Sequence, residues 1–324
     1  MKQTEKAVKK AINIIDPHLH LFDLSKGKYD WLKPENPPFW PDKSLINKSF
    51  SIGDLTLNEG IELKGFVHLE AGFNNQAPWE ELAYLLQTNP VNGHAYMPMR
   101  TIAGIDLTLA HDLFTAQLEA CLLYSFCVGI RHILDDDALA ILSHPNTLLN
   151  IKTLQQEKLI FEVQMPFHNK THLSLIKLAE LIEHHPKISF VINHTGMPPK
   201  TNTANNSTHT EESAKALEQW QHSIGVLANF PNVSIKFSGA EMIDRDYQQV
   251  WLNQLLIKCL EAFGSQRVMF ASNFPLCLFS KSSYQSYWIN LLSLPDFISL
   301  SDEQKKALCY DNAFKIYGFN GAVN

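Results

Sequence analysis

The 324-residue sequence predicts an α/β fold, a (β/α)₈ barrel, and three observations support this prediction. Short β-rich runs alternate with amphipathic helical patterns along nearly the whole chain. Several of these runs, such as residues 188–192, are almost continuously apolar, which is typical of parallel strands covered on both faces. No glycine-rich phosphate-binding turn follows the first run, so the succession of eight units favours a closed barrel over an open sheet.

The predicted strands nearly all end in a polar or ionisable residue. They span residues 12–16, 65–70, 95–100, 127–132, 159–164, 188–194, 232–238 and 267–273. Helices are predicted where apolar residues recur at i, i+3, i+4 and i+7, within residues 79–86, 175–182 and 252–259. In a barrel of this class the active site forms at the carboxyl ends of the strands. The polar residues at the strand ends are therefore expected to converge on one mouth.

Two stretches interrupt the alternation. Residues 21–60, after the first strand, are rich in proline and carry Trp31, Phe39 and Trp40 without a helical period, which predicts a long ordered loop over the mouth. Residues 200–213, after the sixth strand, are polar and predict a mobile loop without a chemical role. A capping box formed by Ser301 and Gln304 predicts the start of the last helix.

Composition and charge exclude several classes of function. The chain has 27 Lys and Arg against 33 Asp and Glu, a formal net charge of −6, and no basic tract, so no nucleic-acid partner is expected. It has no signal-peptide core and no apolar run near the roughly 18 residues that a spanning helix needs, which predicts a cytoplasmic protein without a membrane partner. Five scattered cysteines predict buried thiols. Residues 1–324 are expected to form one domain that acts on a small molecule, as a monomer or a homo-oligomer.

The strongest chemical motif lies at the end of the first strand. His18 and His20 are two residues apart, so both side chains are expected to point toward the mouth. Imidazoles in this arrangement ligate a divalent metal or bind a polarised carbonyl oxygen, although such a pair taken alone, among 14 histidines, more often has a structural role. His194, at the end of the sixth strand, adds a third imidazole.

Charged residues at other strand ends extend this candidate site. Arg131 on the fourth strand offers a fixed positive charge for a substrate carboxylate. Glu70 on the second strand is interpreted either as a metal ligand or base, or as an ion-pair partner of Arg131 or Arg100. Glu162 and Gln164 end the fifth strand and are expected at the mouth, with substrate contact and a structural role equally open.

Other polar residues have simpler interpretations. His68 and His132 neighbour the stronger candidates, and hydrogen-bonded core histidines are the commoner outcome at such positions. Three successive acids, residues 135–137, lack the spacing of a calcium loop and predict a helix cap and a solvated face.

Taken in order, these segments resemble the amidohydrolase superfamily, in particular the branch with lactonases that act on sugar lactones and on pyrone dicarboxylate. The resemblance covers nearly the whole chain, through residues 15–20, 29–32, 67–71, 129–131, 193–198, 233–239 and 270–275. It implies that His18, His20 and His194 bind one divalent cation, zinc first of all, or in metal-independent members the substrate itself. It also implies that Arg131 binds the substrate. The candidate substrate-binding residues are therefore Arg131, Glu70, Glu162, Gln164 and Trp31.

One position departs from the family pattern. The aspartate that orients or deprotonates the attacking water in the family corresponds to Asn273, within Ser-Asn-Phe-Pro. An amide orients water but does not take up a proton near neutral pH, and losing a general base costs about 10²- to 10⁴-fold in rate. Glu70, Glu162 or one of the histidines are alternative bases, and the sequence does not choose among them.

Three functions follow from this pattern. The preferred one is hydrolysis of a small cyclic ester, a sugar-acid or dicarboxylate lactone, with the histidines stabilising the oxyanion and Asn273 positioning the water. The second is metal-dependent decarboxylation, which a related branch carries out. The third is a barrel that has lost catalysis and binds a small acidic or sugar-like ligand.

Overall fold

The computed structural model describes residues 11–58, 60–88, 97–168, 171–200 and 211–319. Within these ranges eight parallel strands form one sheet, numbered in chain order and hydrogen-bonded in that order. They are β1 (Ile12–Leu19), β2 (Ile61–Leu69), β3 (Met99–Gly104), β4 (Cys127–Ile133), β5 (Ile160–Gln164), β6 (Ser189–Ile192), β7 (Val233–Phe237) and β8 (Val268–Phe270). A parallel bridge between Leu19 and Phe274 joins the end of β1 to the segment after β8. The predicted (β/α)₈ barrel is confirmed.

Helices cover the outside of this sheet. They are α1 (Trp79–Thr88), α2 (His111–Leu122), α3 (Ala138–Ser143), α4 (Pro145–Gln156), α5 (His172–His184), α6 (Glu211–Ala228), α7 (Ala240–Ile243), α8 (Gln249–Phe263), α9 (Tyr284–Leu292), α10 (Pro295–Ser299), α11 (Asp302–Lys306) and α12 (Asn312–Ile316). The three helices predicted from apolar spacing correspond to α1, α5 and α8. The capping box is also confirmed, since Ser301 Oγ accepts a hydrogen bond from Gln304 N at 3.3 Å at the start of α11.

The third strand lies further along the chain than predicted. The prediction covered residues 95–100, of which 95 and 96 lie outside the described residues, whereas β3 runs from Met99 to Gly104. The predicted strand stopped at Arg100 because it is charged. In the structure Arg100 lies within β3, where its guanidinium donates to Gly318 O at 2.7 Å and packs over the ring of Phe319. These partners allow a charged residue in a buried strand.

The long loop after β1 is ordered over its described residues, 21–58. It contains three short 3-10 helices, Asp30–Leu32, Lys43–Leu45 and Ile52–Asp54, and a bridge between Phe22 and Phe50. Trp31 Nε1 donates to Ala71 O at 2.7 Å, which ties the loop to the end of β2. The polar loop predicted after the sixth strand falls mostly on residues 201–210, which lie outside the described residues.

Part of the barrel interior is apolar. It is filled by the fully buried side chains of Ile15, Val67, Ile102, Val191 and Met269, each of which contributes about 1.5–3 kcal/mol by leaving water. Tyr317, beyond α12, enters the same cluster from the amino-terminal end of the barrel. The packed interior therefore forms a floor, above which the polar residues of the site lie.

The cysteines confirm the prediction of buried thiols. All five cysteines are buried and free, and burial raises the pKa of Cys127 to about 11, so this thiol is protonated and unreactive. In the described part of the chain, no helix combines the length and apolar character that crossing a bilayer requires.

Candidate active site

Three histidines from two strand ends meet at the carboxyl end of the barrel. The ring centroids of His18 and His20 are 5.2 Å apart, and those of His18 and His194 are 4.5 Å apart. His194 and Thr195 have φ angles of 50° and 57°, left-handed values that non-glycine residues rarely adopt. Such strain clusters at functional sites. The structure thus brings together the three imidazoles that the sequence singles out.

The contacts of two imidazoles fix which nitrogen carries the hydrogen. His20 Nδ1 lies 3.0 Å from Leu69 O and 3.1 Å from Glu70 O, and because carbonyls only accept, this nitrogen is the donor and Nε2 carries the lone pair. His18 Nδ1 lies 3.4 Å from Lys236 Nζ, and an ammonium only donates, so the hydrogen of His18 is on Nε2. The free nitrogen of His18, Nε2, is therefore a hydrogen-bond donor, and the free nitrogen of His20, Nε2, is an acceptor.

All three imidazoles are neutral at neutral pH. Burial is the main cause that lowers the pKa of His18, His20 and His194 well below its usual value. The positive charge of Arg131 lowers all three pKa values further, and that of Lys236 lowers those of His18 and His194. The site accordingly consists of uncharged rings in a positive environment, which suits an oxygen that gains negative charge.

Lys236 is a site residue that the sequence analysis missed. It lies on the inward face of β7, fully buried, and its Nζ donates to Glu162 Oε1 at 2.8 Å. Burial lowers the pKa of Lys236 to about 8, although Glu162 acts in the opposite direction. The available signal is a lysine within the mostly apolar strand Val233–Phe237, where a charge requires a buried partner.

Arg131 directs its N–H groups at protein acceptors. Nε and Nη2 both donate to Glu70 Oε1, at 2.9 and 2.6 Å, and Nη2 also reaches Glu70 O at 3.2 Å. Nη1 donates to Gln164 Oε1 at 2.9 Å and lies 3.4 Å from Asn193 Oδ1. Of the interpretations open for Glu70, the structure therefore shows the ion pair with Arg131. Gln164 supports that pair because its Oε1 accepts a hydrogen bond from Arg131 Nη1 and holds the guanidinium in place.

Glu162 does not reach the open mouth, in contrast to the expectation for the end of β5. Its side chain is fully buried inside the barrel because three donors hold it there. Lys236 Nζ and Tyr317 OH donate to Oε1, the latter at 2.6 Å, and Asn193 Nδ2 donates to Oε2. Glu162 thus lies beneath the histidines as the counter-charge of Lys236.

The remaining candidates occupy structural positions. His68 Nε2 pairs with Glu81 Oε1 at 3.0 Å, and its Nδ1 accepts from Leu21 N at 3.2 Å. His132 Nδ1 accepts from Leu107 N at 3.2 Å. The acids at 135–137 form a 3-10 helix directly before α3, and Asp137 stands at the N-cap position of α3, but its side chain makes no capping hydrogen bond. The indole of Trp31 donates to the carbonyl of Ala71 and packs edge-on against the rings of Phe22 and Trp40.

A second residue that the sequence analysis missed contacts Asn273. Glu241, in the first turn of α7, is fully buried, and Asn273 Nδ2 donates to its Oε1 at 2.7 Å. Burial raises the pKa of Glu241 to about 7. Glu241 Oε2, Asn273 Oδ1 and His18 Nε2 are buried and make no hydrogen bond to any described residue. The signal was an acidic residue directly after the Ser-Gly-Ala turn that ends β7.

The residues present do not fit a divalent cation well. His20 Nε2 has a free lone pair, but His18 Nε2 carries a hydrogen and its Nδ1 faces the ammonium of Lys236. Asn273 also lacks the charge of the family aspartate. Within the described ranges, no three His, Cys, Asp or Glu side chains are arranged to hold a metal ion. The donor set is better matched to an oxygen atom of a substrate.

The close approach of Gly239 to His194 gives a testable prediction. A Cβ at Gly239, where φ is +77°, would lie 2.5 Å from His194 Cβ, so Gly239→Ala should displace the imidazole and cost about 1–3 kcal/mol of stability. The matched control is Gly225→Ala in α6, which meets no described atom within 4 Å and should gain about 0.5–1 kcal/mol. Thermal denaturation of both variants checks this, and equal melting temperatures would contradict it.

Comparison with known proteins places the chain among barrel hydrolases. The amidohydrolase family model Amidohydro_2 matches residues 15–319. An uncharacterized protein, y4mH, from Sinorhizobium fredii is 28% identical over 94% of this chain and 98% of its own length. An L-rhamnono-gamma-lactonase from Scheffersomyces stipitis is 21% identical over 58% of each chain. An L-fucono-1,5-lactonase from Burkholderia multivorans is 27% identical over 48% of this chain and 51% of its own.

Solved structures share the fold. An amidohydrolase from Burkholderia multivorans with bound zinc superimposes with a TM-score of 0.73 at 22% identity, over 94% of this chain and 99% of that one. A putative 2-pyrone-4,6-dicarboxylic acid hydrolase from Pseudomonas putida has a TM-score of 0.58 at 17% identity, over 96% and 99% of the two chains. A 2,6-dihydroxybenzoate decarboxylase from Rhizobium has a TM-score of 0.56 at 14% identity, over 96% and 100%.

Proposed function

We propose, because this chain belongs to the amidohydrolase family, that it is a hydrolase that opens a small lactone. The observation that carries this proposal is the unpartnered Nε2–H of His18. The Lys236 ammonium beside Nδ1 keeps the hydrogen on Nε2, and two further neutral imidazoles lie next to this ring. A buried donor of this kind suits the carbonyl oxygen of an ester, whose negative charge grows during attack by water. The lactonases among the relatives support the same reaction class.

In the proposed mechanism His18 Nε2 donates to the carbonyl oxygen of the lactone. Lys236 holds the hydrogen on that nitrogen and contributes positive potential from below the ring. Asn273 Oδ1, which is free of protein donors within the described residues, accepts a hydrogen bond from the attacking water and orients it. His20 Nε2 accepts from a hydroxyl group of the substrate.

Between the two lactone classes, the contacts favour a sugar-acid lactone. A dicarboxylate needs cationic donors, and the predicted anchor, Arg131, directs its N–H groups at Glu70, Gln164 and Asn193. A polyhydroxylated ring instead requires acceptors and neutral donors, which His18, His20 and Asn273 provide.

A lactone panel tests the proposed function. Purified protein should acidify a weakly buffered solution when given aldonic acid lactones, and should do so faster than with pyrone dicarboxylate. Release of carbon dioxide from dihydroxybenzoates without lactone turnover would instead indicate a decarboxylase. Thermal stabilisation by lactones without turnover would indicate the binding protein.

Metal removal gives a separate prediction. Since the residues do not fit a cation, we expect the purified protein to hold substoichiometric zinc and manganese by plasma mass spectrometry, and chelation to leave the hydrolysis rate unchanged. The His18→Ala/His20→Ala double variant is the control for metal held at the site. Stoichiometric zinc in the wild type that is lost in this variant, together with inactivation by chelators, would show that the site is a zinc centre.

A further inference from the structure

Glu241 differs from the other buried carboxyl groups at this end of the barrel. Glu70 pairs with Arg131, Glu162 pairs with Lys236, and Glu81 accepts from His68 and from the backbone amide of Ala71. The side chain of Glu241 instead accepts a hydrogen bond from the neutral amide of Asn273 at Oε1, and no described side chain or backbone group donates to Oε2. Buried polar atoms without a partner are rare and call for a functional explanation.

The partner of Glu241 is the residue that departs from the family pattern. Asn273 follows β8, where the resemblance implies the catalytic aspartate, and its φ angle of 55° fits the left-handed region that Asn and Asp tolerate. Its backbone N donates to His18 O at 2.8 Å, so the Asn273–Glu241 pair adjoins the residue that presents the Nε2 donor. The amide and the carboxylate are therefore next to each other at the site.

We propose that Glu241 is the general base of this enzyme, so that the carboxylate has moved from the segment after β8 to the first turn of α7. This inference rests on the proposed function, because it assigns a role within the same hydrolysis. Glu70 and Glu162, the bases considered from the sequence, have their carboxylates engaged by Arg131 and Lys236. His20 is a weak base, since burial lowers its pKa well below the usual value.

The proposed step conserves atoms and charge. The oxygen of a water bound to Asn273 Oδ1 attacks the lactone carbonyl carbon, and its proton passes to Glu241 Oε2. The carbonyl π electrons move to the oxygen that His18 Nε2 binds. When the tetrahedral intermediate collapses, the ring C–O bond breaks, and the leaving alkoxide takes the proton from Glu241. The products are the open hydroxy acid and the ionised carboxylate of Glu241, ready for the next cycle.

The surroundings of Glu241 set its proton affinity. Burial raises the pKa to about 7, while the Asn273 hydrogen bond and the charges of Arg245 and Lys281 lower it. The neutral side chains that face it are those of Tyr247, Cys277 and Tyr287, whose pKa values are raised mainly by burial and further by the negative charge of Glu241. A general base is efficient when its pKa lies near the working pH. Because only the ionised carboxylate of Glu241 accepts a proton, the rate of lactone hydrolysis should rise as the pH increases through about 7.

Exchange of the two side chains tests the proposal. At pH 7.5, between the pKa of Glu241 at about 7 and that of Lys236 at about 8, Glu241→Gln should lower kcat/KM for the best lactone by about 100-fold and remove the rise of rate near pH 7. The double variant Glu241→Gln/Asn273→Asp keeps one amide and one carboxylate in contact, with their positions exchanged, and should recover to within about 10-fold of wild type. Asp246→Asn, an exposed carboxylate five residues away, is the matched control and should keep wild-type kcat/KM and pH profile.

The outcomes separate the two proposals. If the wild type is active and Glu241→Gln keeps its rate and pH profile, Glu241 is not the base although the lactonase function stands. A double variant that folds with the wild-type melting temperature and stays as slow as Glu241→Gln would also overturn the assignment. A wild type that opens no lactone overturns the proposed function, and the assignment with it.

Discussion

Replacing His18 with alanine should lower kcat for lactone hydrolysis by about 10²- to 10³-fold, the usual cost of removing one oxyanion donor. The donor is preorganised, because the Lys236 ammonium 3.4 Å from Nδ1 keeps the hydrogen on Nε2 and burial keeps the ring neutral. Since the hydrogen bond strengthens as the oxyanion forms, kcat should fall more than KM rises. Steady-state kinetics at pH 7.5, below the pKa of about 8 of Lys236, with the best lactone measures both constants.

Two companion variants make this result specific. His18→Gln retains an amide donor near the position of Nε2 and should recover part of the lost rate. His132→Asn removes a ring at the same end of the barrel, where Nδ1 accepts from Leu107 N, and should leave kcat close to wild type. If His18→Ala and His132→Asn lose activity equally, or if His18→Ala changes KM alone, His18 does not stabilise the transition state.

The sequence predicts the barrel and the three histidines well for a physical reason. Parallel strands buried on both faces produce continuous apolar runs, and the change to a polar residue marks the carboxyl end of each strand. His18, His20 and His194 stand at such ends, so topology alone brings them together. Arg100 is the exception, because this charged residue lies within β3 and does not mark its end. Its buried partners, Gly318 and Phe319, come from the far end of the chain, so the sequence around Arg100 does not reveal them.

What the sequence could not supply is the partner of each charged side chain. Arg131 was expected to meet a substrate and Glu162 to reach the mouth, and each is instead satisfied by residues from other strands. Lys236 and Glu241 cannot be assigned to the site from the sequence, because a lone charge in a mostly apolar strand or after a turn is ambiguous until its neighbours are known. Pairing across a barrel depends on side-chain direction and length, which periodicity does not encode.

Lys236→Met should destabilise the protein by about 3–5 kcal/mol, because it leaves the carboxylate of Glu162 buried without a counter-charge. Both side chains are fully buried, so water does not screen the loss. Methionine keeps most of the aliphatic stem of lysine, which limits the loss of packing to a minor contribution. Tyr317 and Asn193 still donate to Glu162 in the variant, but both are neutral and cannot balance its charge. Urea denaturation at pH 7 gives the free energy of unfolding.

A double variant distinguishes an unpaired charge from a simple loss of contacts. Lys236→Met/Glu162→Gln removes both charges, and its free energy of unfolding should return to within about 1–2 kcal/mol of wild type, since a buried ion pair is often replaceable by neutral groups. Lys258→Met, which breaks an exposed pair with Glu261 on α8, is the control and should cost less than about 1 kcal/mol. If the double variant is as unstable as Lys236→Met, the lysine acts through its packing and not through its charge. The double variant should nevertheless hydrolyse lactones slowly, because without the ammonium nothing described near Nδ1 of His18 keeps its hydrogen on Nε2.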